Sequence, residues 1–547
     1  MDPLLLNKIN VQENGRRLDR CFRSNLKDSF TGWLGLPRMS DRVSSSTRGR
    51  FEILSLLGVL LLAGALNLWN VGFPLGYHAD EPVKIGVIKS GTDNFFHPLL
   101  LLQLVRSANL ALGLSADQEI AVLGRSILAL GAVVSVLLSH ALARRTIGHL
   151  GALAVSLGVA VSPILVIHAH YLKEDTLLVT CLLGSLICFL MFVDRVSVRS
   201  SLWLGVITGL AFSSHYKALL LVPLYLAAPL LGALRTRTTP SPNSQRDQRI
   251  TPSVFYRYLV LSGIVAASVF LLVNWPLVHE PQKFIDGVRF ELNHALDGHD
   301  VRIGWSDYWL GFHLLHSLAP GMGWPALVVG LGGLLWILAR WKQAVFQDRL
   351  LAAYVLLFYL VPEISPLKPA PDFARYILPI VPVLIYLAWR AVDWAAETIG
   401  DRAGVIARST VALAAIALGV IPFYDTVRLA SSMAHDTRAR TTTWLQQSGG
   451  KALLEQYAGV SEDVRTATMI DLADARQQGV DFVVASSFMY ERYFFGSQLP
   501  NQDFEIYRVH QKYIHLFKHP YVEIRPEYRS FGFSNPVIRI VDIRARQ

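Results

Sequence analysis

The sequence predicts a mainly α-helical protein: a polytopic transmembrane bundle of about eleven spans, followed by a small α/β domain. Three observations predict it. Of the 547 residues, 52% are apolar and 17% charged, against about 25% charged in soluble domains. The apolar residues fall in blocks long enough to cross a hydrocarbon core as helices, the form that leaves no backbone group unpaired in lipid. The formal charge of +10 collects in short loops between those blocks, where it sets topology and does not argue for a nucleic-acid partner.

Residues 1–50 are polar, carry ten Lys or Arg, and read as a disordered basic cytoplasmic leader, with Met39 a second candidate start beside Met1. Ala63-Gly64-Ala65 has the small-residue look of a cleavage site, but the apolar run continues to about Phe73, so the block reads as a span. Spans are expected near 51–73, 118–142, 148–169, 175–193, 201–214, 218–234, 257–277, 314–338, 346–363, 376–395 and 407–424, which makes 51–424 the membrane domain. The block 95–114 is apolar but holds Gln103, Arg106 and Asn109. If it does not span, the leader, Arg144-Arg145, Arg195 with Arg199, the Arg235–Arg257 loop, Arg340 with Lys342, and Arg390 with Arg402 and Arg408 all fall on one side. It is therefore placed along the outer interface or as a re-entrant helix. The N-terminus is then inside, and the long loops 74–117 and 278–313 are outside. The tail 425–547 is also outside, with strand-like runs at Lys451–Tyr457, Asp481–Ser486 and Val537–Ile543 and a helical stretch at Asp471–Gln478. The location that follows is an integral membrane protein of the bacterial plasma membrane type.

The chemistry-bearing residues cluster on the predicted outer face. Asp80 and Glu81, in His78-Ala79-Asp80-Glu81-Pro82, are paired carboxylates suited to general-base work on a hydroxyl, one accepting the proton while the other holds the acceptor. The bland alternative is a solvated acid pair. Lys173-Glu174-Asp175 opens the fourth span; Asp175 suits either a helix cap or a second acid at the site. Lys217, in the polar break Ser213–Lys217, is a point charge for a phosphate or a snorkelling lysine. His97 stands in Phe95-Phe96-His97-Pro98, at the entry to the interfacial helix. Glu291, His294 and Tyr308 come from the second long loop, where the aromatics either stack on a sugar or form an interface belt. Lys368 and Arg375 precede Tyr376-Ile377-Leu378-Pro379 and could hold phosphate.

Cofactor and metal signals are weak. His168 and His170 are spaced i, i+2, which on a helix puts them on different sides. Cys181 and Cys188 lie about 10 Å apart along one helix, too far for a disulfide. No CxxC pair exists. No metal and no cofactor are expected.

Taken in order, Tyr77-His78-Ala79-Asp80-Glu81, Phe96-His97-Pro98-Leu99-Leu100, Ser162-Pro163 with Asp175-Thr176-Leu177-Leu178, Gly205…Gly209-Leu210-Ala211…Lys217, and Arg375–Pro382 resemble the GT-C membrane glycosyltransferases. The branch is that of the protein O-mannosyltransferases and the lipid A aminoarabinose transferases. The resemblance covers most of 51–395. It implies inverting transfer of a sugar from a polyprenyl-phosphate carrier to an acceptor hydroxyl of a lipid, glycan or protein at the outer face of the bilayer. It makes Asp80 the base with Glu81 beside it, Asp175 a second essential acid, and Glu291 and His294 cavity-lining. His97 falls where the aminoarabinose transferases carry a phosphate-binding lysine. Those enzymes have more spans than are counted here, so their acceptor is not carried over. Trp305-Ser306-Asp307-Tyr308-Trp309 differs at its second and last positions from the WWDYG signature of oligosaccharyltransferases and lies in a membrane loop.

The competing class is a polytopic transporter or lipid-linked sugar flippase. That class expects charges at mid-membrane and broken helices in paired halves, and neither an internal repeat nor many mid-span charges are visible here.

Overall fold

The computed structural model describes residues 46–234, 251–297, 308–365, 373–399, 405–459, 466–467, 470–494 and 504–544. Helices dominate up to Ser432, and a sheet follows. Among the described residues, five helices are long and apolar enough to cross a membrane: Gly49–Leu68, Asp117–Ala143, Glu174–Asp194, Pro252–Val273 and Ala374–Ala396. Two bent pairs, His149–Ala160 with Pro163–Ala169 and Leu314–Met322 with Trp324–Ala339, raise the count to seven. Further helices lie at Val198–Ser214, Phe346–Ile364 and Val405–Ser432, whereas the expected span 218–234 holds a shorter apolar helix, Tyr216–Leu226, followed by turns.

The bundle is held by close backbone approach as much as by large side chains. In lipid, apolar burial no longer drives helix association, so small residues that let helices touch become decisive. Gly205 and Gly209 lie one turn apart on Val198–Ser214, against Pro252–Val273. A Cβ there would sit 2.7 Å from the Ser262 carbonyl oxygen or 2.7 Å from the Ala266 carbonyl oxygen.

Two helices lie outside the spans at one end of the bundle, Asp80–Ser90 and Leu100–Leu112. The second has 13 residues, about 20 Å of rise, short of the ~30 Å hydrocarbon core. Its Arg106 is tied back to Asp93 at 2.6 Å and to the Val87 carbonyl at 2.8 Å. A third such helix, Pro281–Asp297, packs against the loop that joins them: a Cβ on Gly287 would meet the Phe95 carbonyl carbon at 2.6 Å, and the Phe284 ring stands 5.7 Å from that of Phe95.

After Ser432 comes a five-stranded sheet in the order β2-β1-β3-β5-β4, with β1 Ala452–Glu455, β2 Thr466–Ala467, β3 Phe482–Ser486, β4 Tyr521–Ile524 and β5 Ile538–Asp542. β2, β1 and β3 run parallel; β5 pairs antiparallel with β3 and with β4. Both β1 and β3 are buried along their whole length, as strands covered on two faces should be. The expected boundary at 424 falls inside a helix that continues to Ser432.

This C-terminal segment is bolted to the end of the bundle that carries Asp80. Asp436 caps the helix Thr437–Ser448 through the Arg438 amide at 2.9 Å, and its carboxylate is paired with the Arg438 guanidinium at 2.7 Å. The same guanidinium donates to the Tyr77 carbonyl at 2.7 Å and the Phe533 carbonyl at 2.8 Å, and lies 4.0 Å over the Tyr77 ring. Removing one partner of a buried ion pair costs about 3–5 kcal/mol. Arg438→Ala is therefore expected to loosen the tail by that order, and limited proteolysis should then release fragments ending near residue 440 faster than in the wild type. Equal protease resistance would show that the apolar contacts alone hold the tail.

Candidate active site

Where the C-terminal segment meets the bundle, a cavity of about 650 Å³ opens. Its lining brings together residues from six stretches of chain: Asp80, Lys84, His97, Lys173, Glu174, Asp175, His215, Lys217, Glu291, His294, Arg375 and Tyr376, with Gln456, Tyr457 and Arg492 from the tail. Val83, Val87, Phe96, Leu102, Leu219, Val288 and Leu292 make an apolar wall. A cavity with one apolar side and convergent charges is the usual form of a ligand site.

Asp80 is the first residue of its helix, a position where the helix dipole favours a negative charge. Its amide donates to His78 Nδ1 at 3.2 Å. Its carboxylate is ion-paired with Lys173 and lies 3.7 Å from Arg375 Nη1, yet it remains 40% exposed to the cavity. Burial pushes the carboxyl up, but Lys173, His78 and Arg375 together outweigh it and hold Asp80 well below the usual carboxylate range. Lys84, one helical turn after Asp80 and so on the same face, pairs with Glu174.

Lys173 to Met is expected to lower kcat/KM about 10–100-fold, the size of one lost hydrogen bond between charged groups. The sign of the pH effect follows from the same contacts. With Lys173 gone, burial is opposed by His78 and Arg375 alone, so the Asp80 carboxyl rises and the acid limb of kcat/KM moves to higher pH. Lys173→Arg should restore the limb. An acid limb that stays put in the Met variant would mean that Asp80 is not the group it reports.

The cations continue across the cavity. Lys217 Nζ lies 4.0 Å over the Tyr376 ring, and Arg375 lies 5.4 Å over the same ring. Asp175 lines the cavity within electrostatic reach of both Lys217 and Arg375. Glu291 faces them from the helix Pro281–Asp297; burial pushes its carboxyl up, against the pull of Lys173, Lys217 and Arg375. His97 Nε2 is 3.4 Å from Lys173 Nζ and 3.8 Å from Glu174 Oε2, and its ring is 4.8 Å from that of His215. Burial, Lys173 and Lys84 hold His97 well below the usual imidazole range, so it is neutral and adds no positive charge.

Two expected site residues among the described ones are not in this cavity. Glu81, expected beside Asp80 in the chemistry, points elsewhere, because consecutive helical residues diverge by about 100°. It is 0% exposed and bound bidentately by Arg125, at 2.9 Å from Nε and 2.6 Å from Nη2, and it accepts from the Leu172 amide at 2.9 Å. Tyr308, expected at the sugar, packs edge-on against Phe312 and His316 at 5.3 Å each. Lys368 lies outside the described residues. The weak histidine pair is accounted for locally: His168 Nδ1 faces the Ile164 carbonyl at 2.8 Å, and the His170 ring nitrogens face the Val166 and Trp69 carbonyls at 2.7 and 2.8 Å. Among the described residues, no group of three or more His, Cys, Asp or Glu is placed to hold a metal ion.

The cavity also holds groups that were not singled out as site residues: Lys84, Lys173, Glu174, His215, Tyr376, Gln456, Tyr457 and Arg492. Lys84 and Lys173 were findable, the first from its i+4 spacing to Asp80 and the second from its adjacency to Asp175. Nothing local marks Tyr457 and Arg492, since only the docking of the tail brings them in.

Residues 107–242, which include Arg125, Lys173, Asp175 and Lys217, match the family model described as dolichyl-phosphate-mannose-protein mannosyltransferase. A search of curated proteins returns no match. The chain is similar in structure to ArnT from Cupriavidus metallidurans bound to undecaprenyl phosphate, with 14% identity, a TM-score of 0.50, and 92% of this chain and 100% of that one covered. It is likewise similar to the Archaeoglobus fulgidus oligosaccharyltransferase tethered with an acceptor peptide, with 13% identity, a TM-score of 0.50, and 84% of this chain and 72% of that one covered. The fold is shared over most of the chain, and the match to the mannosyltransferase family model, confined to residues 107–242, falls on the segment that supplies much of the cavity's charge.

Proposed function

We propose that the protein is a membrane glycosyltransferase of the GT-C superfamily that moves a sugar, with inversion, from a polyprenyl-phosphate carrier to an acceptor hydroxyl. The observation that carries this reading is the pairing, in one cavity, of an accessible carboxylate with three cations and an apolar wall. Asp80 takes the proton from the acceptor hydroxyl. The acceptor oxygen forms its bond to the anomeric carbon as the bond from that carbon to the phosphate oxygen breaks. The charge left on the carrier phosphate is met by Lys217, Arg375 and Lys173, the last providing the cation that the neutral His97 lacks. Asp175 holds Lys217 and Arg375 in place, Glu291 and His294 face the sugar, and the apolar wall takes the first isoprene units. No metal enters this scheme.

The surrounding architecture follows the same proposal. The chain crosses the membrane eleven times, with its N-terminus in the cytoplasm, and the C-terminal segment forms an α/β domain on the outer face of a bacterial plasma membrane. The undecaprenyl phosphate bound by the ArnT relative supports a carrier of this class.

The test uses purified protein in lipid with a panel of polyprenyl-phosphate sugars and a crude membrane fraction as acceptor source. Turnover of one donor is the expected result. No turnover of any donor would sink the reading and favour a flippase.

A further inference from the structure

The cavity is closed on one side by the C-terminal segment, and Tyr457 is the aromatic that this segment contributes there. Tyr457 lies two residues past the end of β1 and has a φ of 67°. A non-glycine residue in the left-handed region is uncommon and, for a bulky side chain, strained. Such strain persists where surrounding structure enforces it, and it gathers at ligand sites. The enforcement is visible. The ring lies 5.6 Å from Phe533 and 6.2 Å from Phe488, with the Arg492 guanidinium 6.0 Å over it. Phe533 in turn wedges between the tail and the bundle, 4.4 Å from His78 and 5.9 Å from the Arg375 guanidinium. β1 is locked behind it, with Glu455 accepting from the Ser486 amide at 2.9 Å and from the Tyr513 hydroxyl. The side chain is only partly buried and stands within electrostatic reach of Asp80, Arg375 and Lys173.

A ring set at this point lies beside the groups assigned to the phosphate and to the base, where the donor's sugar must sit. The C–H groups on a sugar face carry partial positive charge and meet the negative face of an aromatic ring. The phenol hydroxyl adds a hydrogen-bonding group at its edge. We infer that Tyr457 is the platform for the donor's sugar ring, so that the C-terminal segment supplies part of the donor site. This rests on the transferase reading given above.

The test measures binding to the full-length protein in nanodiscs, in an Asp80→Asn background so that donor is not consumed. The probes are undecaprenyl phosphate and the same lipid carrying mannose or glucose. With Tyr457 present, at least one sugar-bearing lipid should bind about tenfold more tightly than the bare phosphate, the upper range of an aromatic contact. Tyr457→Ala should erase that advantage while leaving affinity for the bare phosphate unchanged, and Tyr457→Phe should keep most of it. Tyr457→Gly also removes the ring but relieves the backbone strain, so it should lose the advantage with an unchanged or higher melting temperature. A sugar advantage that survives Tyr457→Ala, or one that never existed, overturns the platform. If no lipid binds, bare phosphate included, the lipid-phosphate reading falls and the platform with it.

Discussion

Replacing Asp80 with Asn should abolish sugar transfer while leaving the fold intact, with kcat down on the order of 10²–10⁴-fold, the range typical of a lost general base. The substitution is nearly isosteric. The carboxamide can still receive a hydrogen bond from Lys173 and can still stand at the start of its helix, so the Tyr77–Asp80 stretch should keep its place under Arg438 and Phe533. What disappears is the negative charge and the capacity to take a proton. That carboxylate is held well below its usual range by Lys173, His78 and Arg375, against the pull of burial, which makes it a weak base while those contacts last. A donor phosphate entering beside Lys173 and Arg375 would compete for those cations, and the Asp80 carboxyl would rise as they turn away. Asp80→Asn should therefore lose kcat while donor affinity is kept or raised, because one negative charge no longer competes with the phosphate. The check is single-turnover transfer together with direct donor binding. A variant that keeps full transfer activity removes Asp80 from the mechanism; one that loses donor binding and chemistry in step makes it a binding residue.

How far the site could be read from the chain depended on what kind of proximity made it. Asp80 is legible from its motif; Lys84, on the same helix face, and Lys173, two residues before Asp175, carry a local spacing signal that the sequence reading does not use. The block 95–114 is legible as well. The one-sided distribution of loop cations argues against a span there, and the structure gives a 13-residue helix whose Arg106 is tied back to Asp93 and Val87. The strand-like runs at 451–457, 481–486 and 537–543 contain β1, β3 and β5, because an apolar run bounded by turn residues is a local signal. Tyr457 and Arg492 were invisible because they reach Asp80 across the docking of two parts of the chain far apart in sequence, and no periodicity encodes that contact. Glu81 shows the opposite case. Adjacency to Asp80 looked like partnership, but the start of a helix at Asp80 sends neighbouring side chains to different sides.

The buried placement of Glu81 carries the other large prediction. Glu81 and Arg125 are both 0% exposed and form a bidentate pair in which Arg125 also donates to the Val71 carbonyl at 3.1 Å and the Phe73 carbonyl at 2.5 Å, with its guanidinium 3.6 Å over the Phe73 ring. The pair therefore clamps three things at once: the span Asp117–Ala143, the turn at 71–74 that leads to Asp80, and the Leu172 amide just before Lys173. Glu81→Leu or Arg125→Met alone strands a buried charge and is expected to destabilise the protein by about 3–5 kcal/mol. Removing both charges strands neither. The double variant should recover part of that loss, leaving the cost of the freed carbonyls and the Leu172 amide, so a double-mutant cycle should show coupling of about 1–3 kcal/mol. Thermal unfolding in detergent measures all four proteins. If Glu81 were catalytic, Glu81→Gln would unfold like the wild type and lose transfer. If the pair is the clamp described here, Glu81→Gln loses stability first, and whatever transfer the folded fraction retains shows an acid limb still set by Asp80 and Lys173.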